Sequence, residues 1–391
     1  MRLASVNETG LQLDPSSTAV ADVGAIRSFF PALGRLHNGH PVAYLDGPGG
    51  TQVPGIVGEA MLQYLYHHNA NARWAFPTSQ ETDDAILSAR QALAEWVGGD
   101  ADEIAFGANM TSQTFHLSRA LARSWRDGDS IAVTAQDHHA NIDTWRAAAL
   151  EHGLELRIVG TLSDGSLDID DLRRKVTGGT RLLAFSAASN VLGTINDVRQ
   201  LVEIAHSSGA LAFVDAVHYA GCLPPDVQQW DCDFMACSAY KFYGPHLGVL
   251  WVRKSVIPEI DAPMLAPASA SMRPKLETGT LNHEGIVGAA AAINFLASLD
   301  ASKTSRRQRL IRVCNALHTR GQALFQRLWD GLGDLSAVTR FGLAPGRDRT
   351  STLSFSIAGI DAREAATAFA KSGLFLSHGN FYAQKIGRAH V

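Results

Sequence analysis

From Ile104 to Val252 the chain alternates short apolar runs with segments of helical spacing. The runs are Ile104–Phe106, Ile131–Thr134, Leu156–Val159, Leu182–Phe185, Leu211–Val214, Phe234–Cys237 and Val249–Val252. Runs of this length and composition read as strands covered on both faces. Before one of them Val198, Leu201, Val202 and Ala205 recur at i, i+3, i+4 and i+7, the apolar face of a helix. The alternation predicts an α/β fold, a mainly parallel seven-stranded sheet with helices on both faces. In such sheets ligands collect at the carboxyl ends of the strands. The residues that follow each run are therefore the candidates for chemistry.

After Ile104–Phe106 comes Gly107-Ala-Asn-Met-Thr111-Ser112, opening a helix. Hydroxyls there either cap the helix or, with free N–H groups and the helix dipole, cradle a phosphate. After Ile131–Thr134 stands Asp137-His138-His139-Ala-Asn141. Adjacent histidines do not chelate as an i, i+4 pair does, so no metal is expected; one imidazole lying flat on an aromatic ligand is. Asn190 offers an amide at the same edge. Asp215 directly follows Leu211–Val214, where it either caps a turn or needs a cationic partner to stay ionised. Lys241 follows Phe234–Cys237, with Ser238 before it and Gly244-Pro245 after it. Its ammonium either snorkels to the surface or is desolvated, which lowers its pKa and frees a nucleophilic amine.

Taken together these parts describe one chemistry. A lysine forms a Schiff base, an aspartate keeps a pyridinium nitrogen protonated, a hydroxyl-rich helix start holds a phosphate and an imidazole stacks on a ring. That is the apparatus of an enzyme using pyridoxal 5′-phosphate. Lys241, Asp215 and His138 are the catalytic candidates.

Composition narrows the alternatives. With 391 residues, 46% hydrophobic and 18% charged, the chain is long enough for two or three domain-sized units. A net charge of −4 gives no footprint for nucleic acid or an anionic membrane. Cys222, Cys232, Cys237 and Cys314 show no CxxC spacing, and none of the 15 histidines forms HExxH. No run reaches membrane-spanning length, and Asn7-Glu-Thr-Gly interrupts any signal-like core near Met1, so a cytoplasmic location is expected. Residues 1–17 read as a mobile leader, followed by a helix from Val20 towards Pro31. Helices are expected at Gly55–His67 and Glu81–Val97, joined by a polar loop, Asn69–Ser79, in which Arg73 is a candidate for substrate recognition. Val42-Ala-Tyr-Leu-Asp-Gly-Pro-Gly-Gly50 reads as a short strand and an ordinary turn.

The strand-end residues resemble the class V aminotransferase family of fold-type I pyridoxal phosphate enzymes, in its cysteine desulfurase-like and selenocysteine lyase-like branch. The likeness runs from about Val42 to Ala383 and rests on Tyr44-Leu-Asp-Gly, Asp137-His138-His139-Ala-Asn-Ile and Ser189-Asn190-Val-Leu-Gly-Thr. It implies that Thr111, Ser112 and Ser238 bind the phosphate, His138 stacks on the cofactor and Asn190 lies near its phenolic oxygen. It also implies that Asp215 meets the pyridine nitrogen and Lys241 carries the Schiff base. The turn Glu277-Thr-Gly-Thr280 resembles one reaching a neighbouring subunit's phosphate, which implies a homodimer with its site at the interface. The resemblance further implies a leader and helix at 1–37 packing on the small domain, a large cofactor-binding domain at 38–272 and a small α+β domain at 273–391.

Three departures shape the expected activity. Asp215-Ala-Val-His218 and Ser238-Ala-Tyr240-Lys241 are similar to kynureninases, so Tyr240 is expected on the phosphate and His218 beside the ring. Where desulfurases of this branch carry an arginine and a persulfide-forming cysteine, this chain has Ser377 and Tyr382. Lys385-Ile-Gly-Arg-Ala-His-Val391 matches the translation of a common sequencing adapter, so the natural tail is expected to be missing. The expected function is pyridoxal phosphate-dependent Cα or Cβ chemistry on a small amino acid: lyase, desulfurase-like, epimerase or aminotransferase. The alternative is a truncated product that binds cofactor without turnover.

Overall fold

The computed structural model describes residues 20–266 and 275–386. The expected leader at 1–17 and the expected domain boundary near 272 lie outside these residues, as does the suspect tail beyond Ile386. Helix α1 (Val23–Ser28) is capped by Asp22, whose carboxylate accepts from the N–H groups of Gly24 and Ala25. It is shorter than the sequence suggested, because Pro31 opens a separate 3₁₀ turn, Pro31–Gly34. A small hairpin, β1 (Leu36–His37) and β2 (His40–Pro41), leads to β3 (Ala43–Tyr44). Helix α2 (Gly55–His67) follows, then α3 (Pro77–Val97). The latter begins four residues before the expected Glu81 because Pro77 occupies its first turn, where a missing N–H goes unnoticed.

The alternating stretch then delivers all seven expected strands. They are β4 (Ile104–Gly107), β5 (Ser130–Thr134), β6 (Glu155–Val159), β7 (Thr180–Ser186), β8 (Leu211–Asp215), β9 (Phe234–Ser238) and β10 (Gly248–Val252). Helices α4 (Met110–Ala122), α5 (Asp143–His152), α6 (Ile169–Lys175), α7 (Val198–Ser207) and α8 (Val227–Trp230) lie between them. The order across the sheet is β4-β10-β9-β8-β7-β5-β6. From β9 to β6 every pairing is parallel, whereas β10 runs antiparallel to both its neighbours. Successive residues of a strand point to opposite faces, and both faces are covered. Leu183, Phe185, Val214, Met235 and Val249 enter one core, while Leu182, Ala184, Phe213, Phe234 and Leu250 enter the other. Val198, Leu201, Val202 and Ala205 are the buried residues of α7, as their spacing required.

Beyond the sheet lie α9 (His283–Ser298), α10 (Arg306–Gly333), β11 (Val338–Phe341), β12 (Ser354–Ile357), α11 (Ala362–Lys371) and β13 (Leu374–Phe375). Strand β13 pairs in parallel with β3, tying the two ends of the described chain together. Phe29 and Phe30, just after α1, pack edge-on against Phe295 of α9 at 5.4 and 5.7 Å. Among the described residues no helix is long and apolar enough to cross a membrane.

Candidate functional site

Sheet register brings the candidate residues to one edge. Ser186, Asp215 and Ala236 are partners across β7, β8 and β9, and Ser238, Gly248 and Gly107 are partners across β9, β10 and β4. The turns leaving these positions line a cavity of about 640 Å³. Thr111, His138, Asn190, Asp215, His218, Ser238, Tyr240 and Lys241 all lie on its wall.

At one end the start of α4 faces the cavity. Asn109 caps this helix by accepting from the Ser112 N–H at 2.9 Å, and the Met110 N–H donates to Ser238 Oγ at 3.2 Å. The Thr111 N–H and hydroxyl have no protein partner among the described residues, which leaves donors at the positive end of a helix. Gly248 is what lets β10 pass this point: a Cβ there would lie 2.4 Å from Gln113 Oε1 and 2.5 Å from the Asn109 carbonyl carbon.

Two ionisable groups, Asp215 and Lys241, line the same cavity. Burial drives the Asp215 carboxyl up to about 7; the Val217 N–H, donating at 2.9 Å, and the Lys241 charge pull the other way, while Asp137 adds to the rise. Burial lowers the Lys241 ammonium to about 8 against the opposing pull of Asp46 and Asp215. Each therefore feels the other's charge, yet they form no direct ion pair; Lys241 Nζ donates instead to the Pro48 carbonyl. The Asp46–Gly50 turn, read from sequence as an ordinary connection, thus contributes Pro48 and Gly49 to the wall. Tyr240 packs under the Lys241 ammonium at 4.7 Å and stacks on His246 at 4.9 Å.

His138 is held by its own turn, with Nδ1 accepting from the Ala140 N–H at 3.0 Å. Burial, then the charges of Lys241 and His139, depress its pKa to about 4, so the ring is neutral. Behind it the buried Asp137 accepts from Ser186, Thr134 and Asn141, and Asn141 accepts from Trp145 Nε1 at 3.0 Å. Burial still lifts Asp137 to about 6. The Tyr382 ring lies 5.4 Å from His138 at 31°, and Phe381 accepts from the Asn190 amide at 3.0 Å.

Some sequence candidates fall elsewhere. Ser112 is exposed, and its hydroxyl donates to Asn109 rather than into the cavity, because the helix cap claims it. Thr280 is exposed and outside the wall, and so is Arg73, whose main-chain N–H donates to Asp83 at 3.0 Å. Glu277, close to Thr280, forms a buried ion pair with Arg90 at 2.8 Å and accepts from the Phe106 N–H, also at 2.8 Å. No arginine lines the cavity among the described residues. None of the four cysteines lines it either, and burial pushes Cys222 and Cys314 up to about 12 and raises Cys232 and Cys237 as well. Sequence reasoning missed Pro48 on the wall, Asp137 behind His138 and Thr352, whose hydroxyl lies 2.9 Å from His218 Nε2; only Asp137 carried a signal, a carboxylate immediately before the histidine pair.

The family model for class V aminotransferases matches residues 43–390. A cysteine desulfurase of Escherichia coli (strain K12 / DH10B) is 32% identical over 300 residues, covering 72% of this chain and 73% of that protein. A probable cysteine desulfurase of Halobacterium salinarum is 30% identical over 387 residues, covering 93% and 88%. The solved structure of an Escherichia coli cysteine desulfurase in its S-sulfonic acid form superposes with a TM-score of 0.81 at 26% identity, covering 95% of this chain and 91% of that one. The apo cysteine desulfurase of Thermococcus onnurineus shares the fold, with a TM-score of 0.84 at 24% identity and the same coverage. The chain belongs to the class V aminotransferase family of pyridoxal phosphate-dependent enzymes, in its cysteine desulfurase-like branch.

Proposed function

We propose that this chain binds pyridoxal 5′-phosphate in the 640 Å³ cavity and acts on a small amino acid there. The observation that carries the reading is the pair Asp215 and Lys241. Both are buried, both are shifted towards their neutral forms, and they face one cavity without touching. A buried acid of this kind calls for a cationic partner, and a protonated ring nitrogen supplies one. Thr111, with the α4 N-terminus, Ser238 and Tyr240, would receive the phosphate, and Asn190 and His218 would flank the ring. When bound, the cofactor supplies a carbonyl for amines and an electron sink for carbanions.

The protein's own groups then have defined tasks. Lys241 tethers the cofactor and, with a pKa near 8, is poised to take and return a proton at the substrate's reacting carbon. Asp215, ionised against the ring nitrogen, holds that nitrogen's proton. His138, a neutral imidazole on the wall, would cover the ring face and keep water from it. No cysteine on the wall can accept sulfur, and Tyr382 lies beside His138, so the reaction proceeds without a persulfide on the enzyme. Thr280 serves the site of a second subunit, which makes the working form a homodimer.

Titration of the purified chain with pyridoxal phosphate tests this reading. A visible absorbance band that saturates in the wild type and is absent in Lys241→Ala is expected. No band in the wild type would refute it. Incubation with cysteine should leave no added sulfur on the protein by mass spectrometry.

A further inference from the structure

Arg349 is a buried cation outside the cavity wall, 1% exposed. It sits where residues 348–352 run against residues 192–195: Thr350 donates its N–H to the Gly193 carbonyl at 2.8 Å, and Ile195 donates to Asp348 at 3.0 Å. Its guanidinium donates to three main-chain carbonyls, Leu192 at 3.1 Å, Thr350 at 3.2 Å and Thr352 at 2.5 Å. It also lies 3.8 Å over the Phe325 ring and 5.6 Å from Trp329. Burial lowers its pKa to about 10, which leaves it charged at neutral pH, and its Nη1 is buried without a partner among the described residues. A buried charge held by carbonyls and rings rather than by a carboxylate is costly. What it holds in place is therefore informative.

It holds the backbone that presents two hydroxyls to His218. Thr350 Oγ1 donates to Thr352 Oγ1 at 3.0 Å, and both oxygens meet His218 Nε2, at 3.1 and 2.9 Å. Since the Thr350 proton is committed to Thr352, the Thr352 proton has Nε2 as its protein acceptor. With that proton hydrogen-bonded to Nε2 the ring proton sits on Nδ1, whereas an Nε2–H donating to Thr350 Oγ1 would leave the Thr352 hydroxyl without a protein acceptor among the described residues. Nδ1 has no protein partner among the described residues and is not a sealed polar atom, so its outlet is the cavity that His218 lines. Burial and the nearby Lys241 charge hold the imidazole neutral, with a pKa near 3.

We propose that Arg349 is a positioning residue. By clamping the carbonyls of residues 350 and 352 it sets a two-threonine relay that fixes His218 as its Nδ1–H tautomer, a neutral donor to an anionic oxygen of the ligand. The opposite tautomer would turn a lone pair on that oxygen. The oxyanion rests on the cofactor reading above; the tautomer does not.

The test is a long-range ¹H–¹⁵N correlation spectrum of the full chain labelled with ¹⁵N-histidine, the His218 signals being assigned by loss in His218→Asn. At neutral pH the wild type and Thr352→Ser should show the Nδ1–H pattern. Thr352→Val and Arg349→Lys should show a mixed or reversed one, because valine removes the donor and an ammonium cannot span three carbonyls. An Nε2–H pattern in the wild type, or a Thr352→Val spectrum equal to it, overturns the proposal. Should Arg349→Lys fail to fold, the serine and valine variants still decide. Adding pyridoxal phosphate should move the Nδ1 signal; the expected tautomer with no response to the cofactor supports the clamp and refutes the cofactor reading.

Discussion

Asp215 and Lys241 carry consequences that can be measured without any substrate. The folded chain holds the Asp215 proton up to about pH 7, well above an ordinary carboxylate, so the folded state binds protons more tightly than the unfolded one. The stabilisation this gives is complete below the ordinary carboxylate range and is lost as pH rises through about 7. Over that window the cofactor-free protein should lose up to about 4 kcal/mol from this one group. Asp215→Asn, which cannot ionise, should show a shallower decline in urea stability and weaker cofactor binding; equal slopes would contradict the assignment. For Lys241 the neutral amine is the nucleophile, so the rate of cofactor capture should climb with pH and level off above about 8. A rate independent of pH would not fit. Asp215 stood out because a charge directly after an apolar run is anomalous, and Lys241 because it is a lone lysine between the apolar runs Phe234–Cys237 and Val249–Val252. Ser112 misled for the same local reason, since nothing in the sequence says which hydroxyl a helix cap will claim.

Among the elements, the strands were the most legible, because a strand covered on both faces must be largely apolar, as the central β8, β9 and β10 are, while β6 at the sheet edge keeps Glu155 and Arg157 in an otherwise apolar run. The start of α3 was displaced by a proline that fits a first turn as well as a loop. Contacts far apart in the chain left no trace. The Arg90–Glu277 pair joins α3 to the segment leading to Thr280, with both side chains almost fully buried. Glu277 also satisfies the Phe106 N–H of β4, so this pair fixes where that segment leaves the sheet. Arg90→Ala should cost about 3–5 kcal/mol of stability by stranding the carboxylate. The double variant with Glu277→Ala should cost less than the two singles together. A strictly additive cycle would show that the two do not act as a pair. Residues 348–352 lack any motif, and their bearing on His218 emerges only when they fold back onto residues 192–195.

At the scale of the whole molecule, several of the exposed apolar side chains belong to α2 and the loop after it. Leu62, Leu65 and Tyr66 of α2 are exposed, as are Trp74 and Phe76 in the following loop. Exposed apolar side chains such as these are what the proposed homodimer would cover. Light scattering should report a dimer for the wild type and a shift towards monomer for Leu65→Glu combined with Tyr66→Glu; a monomeric wild type would contradict it. The central claim is that Lys241 holds pyridoxal phosphate opposite Asp215. Borohydride reduction of the cofactor-loaded chain, followed by peptide mapping, tests it most directly. A pyridoxyl group on the peptide containing Lys241, and on no other, is the expected result; a label on a different lysine, or none, would contradict it.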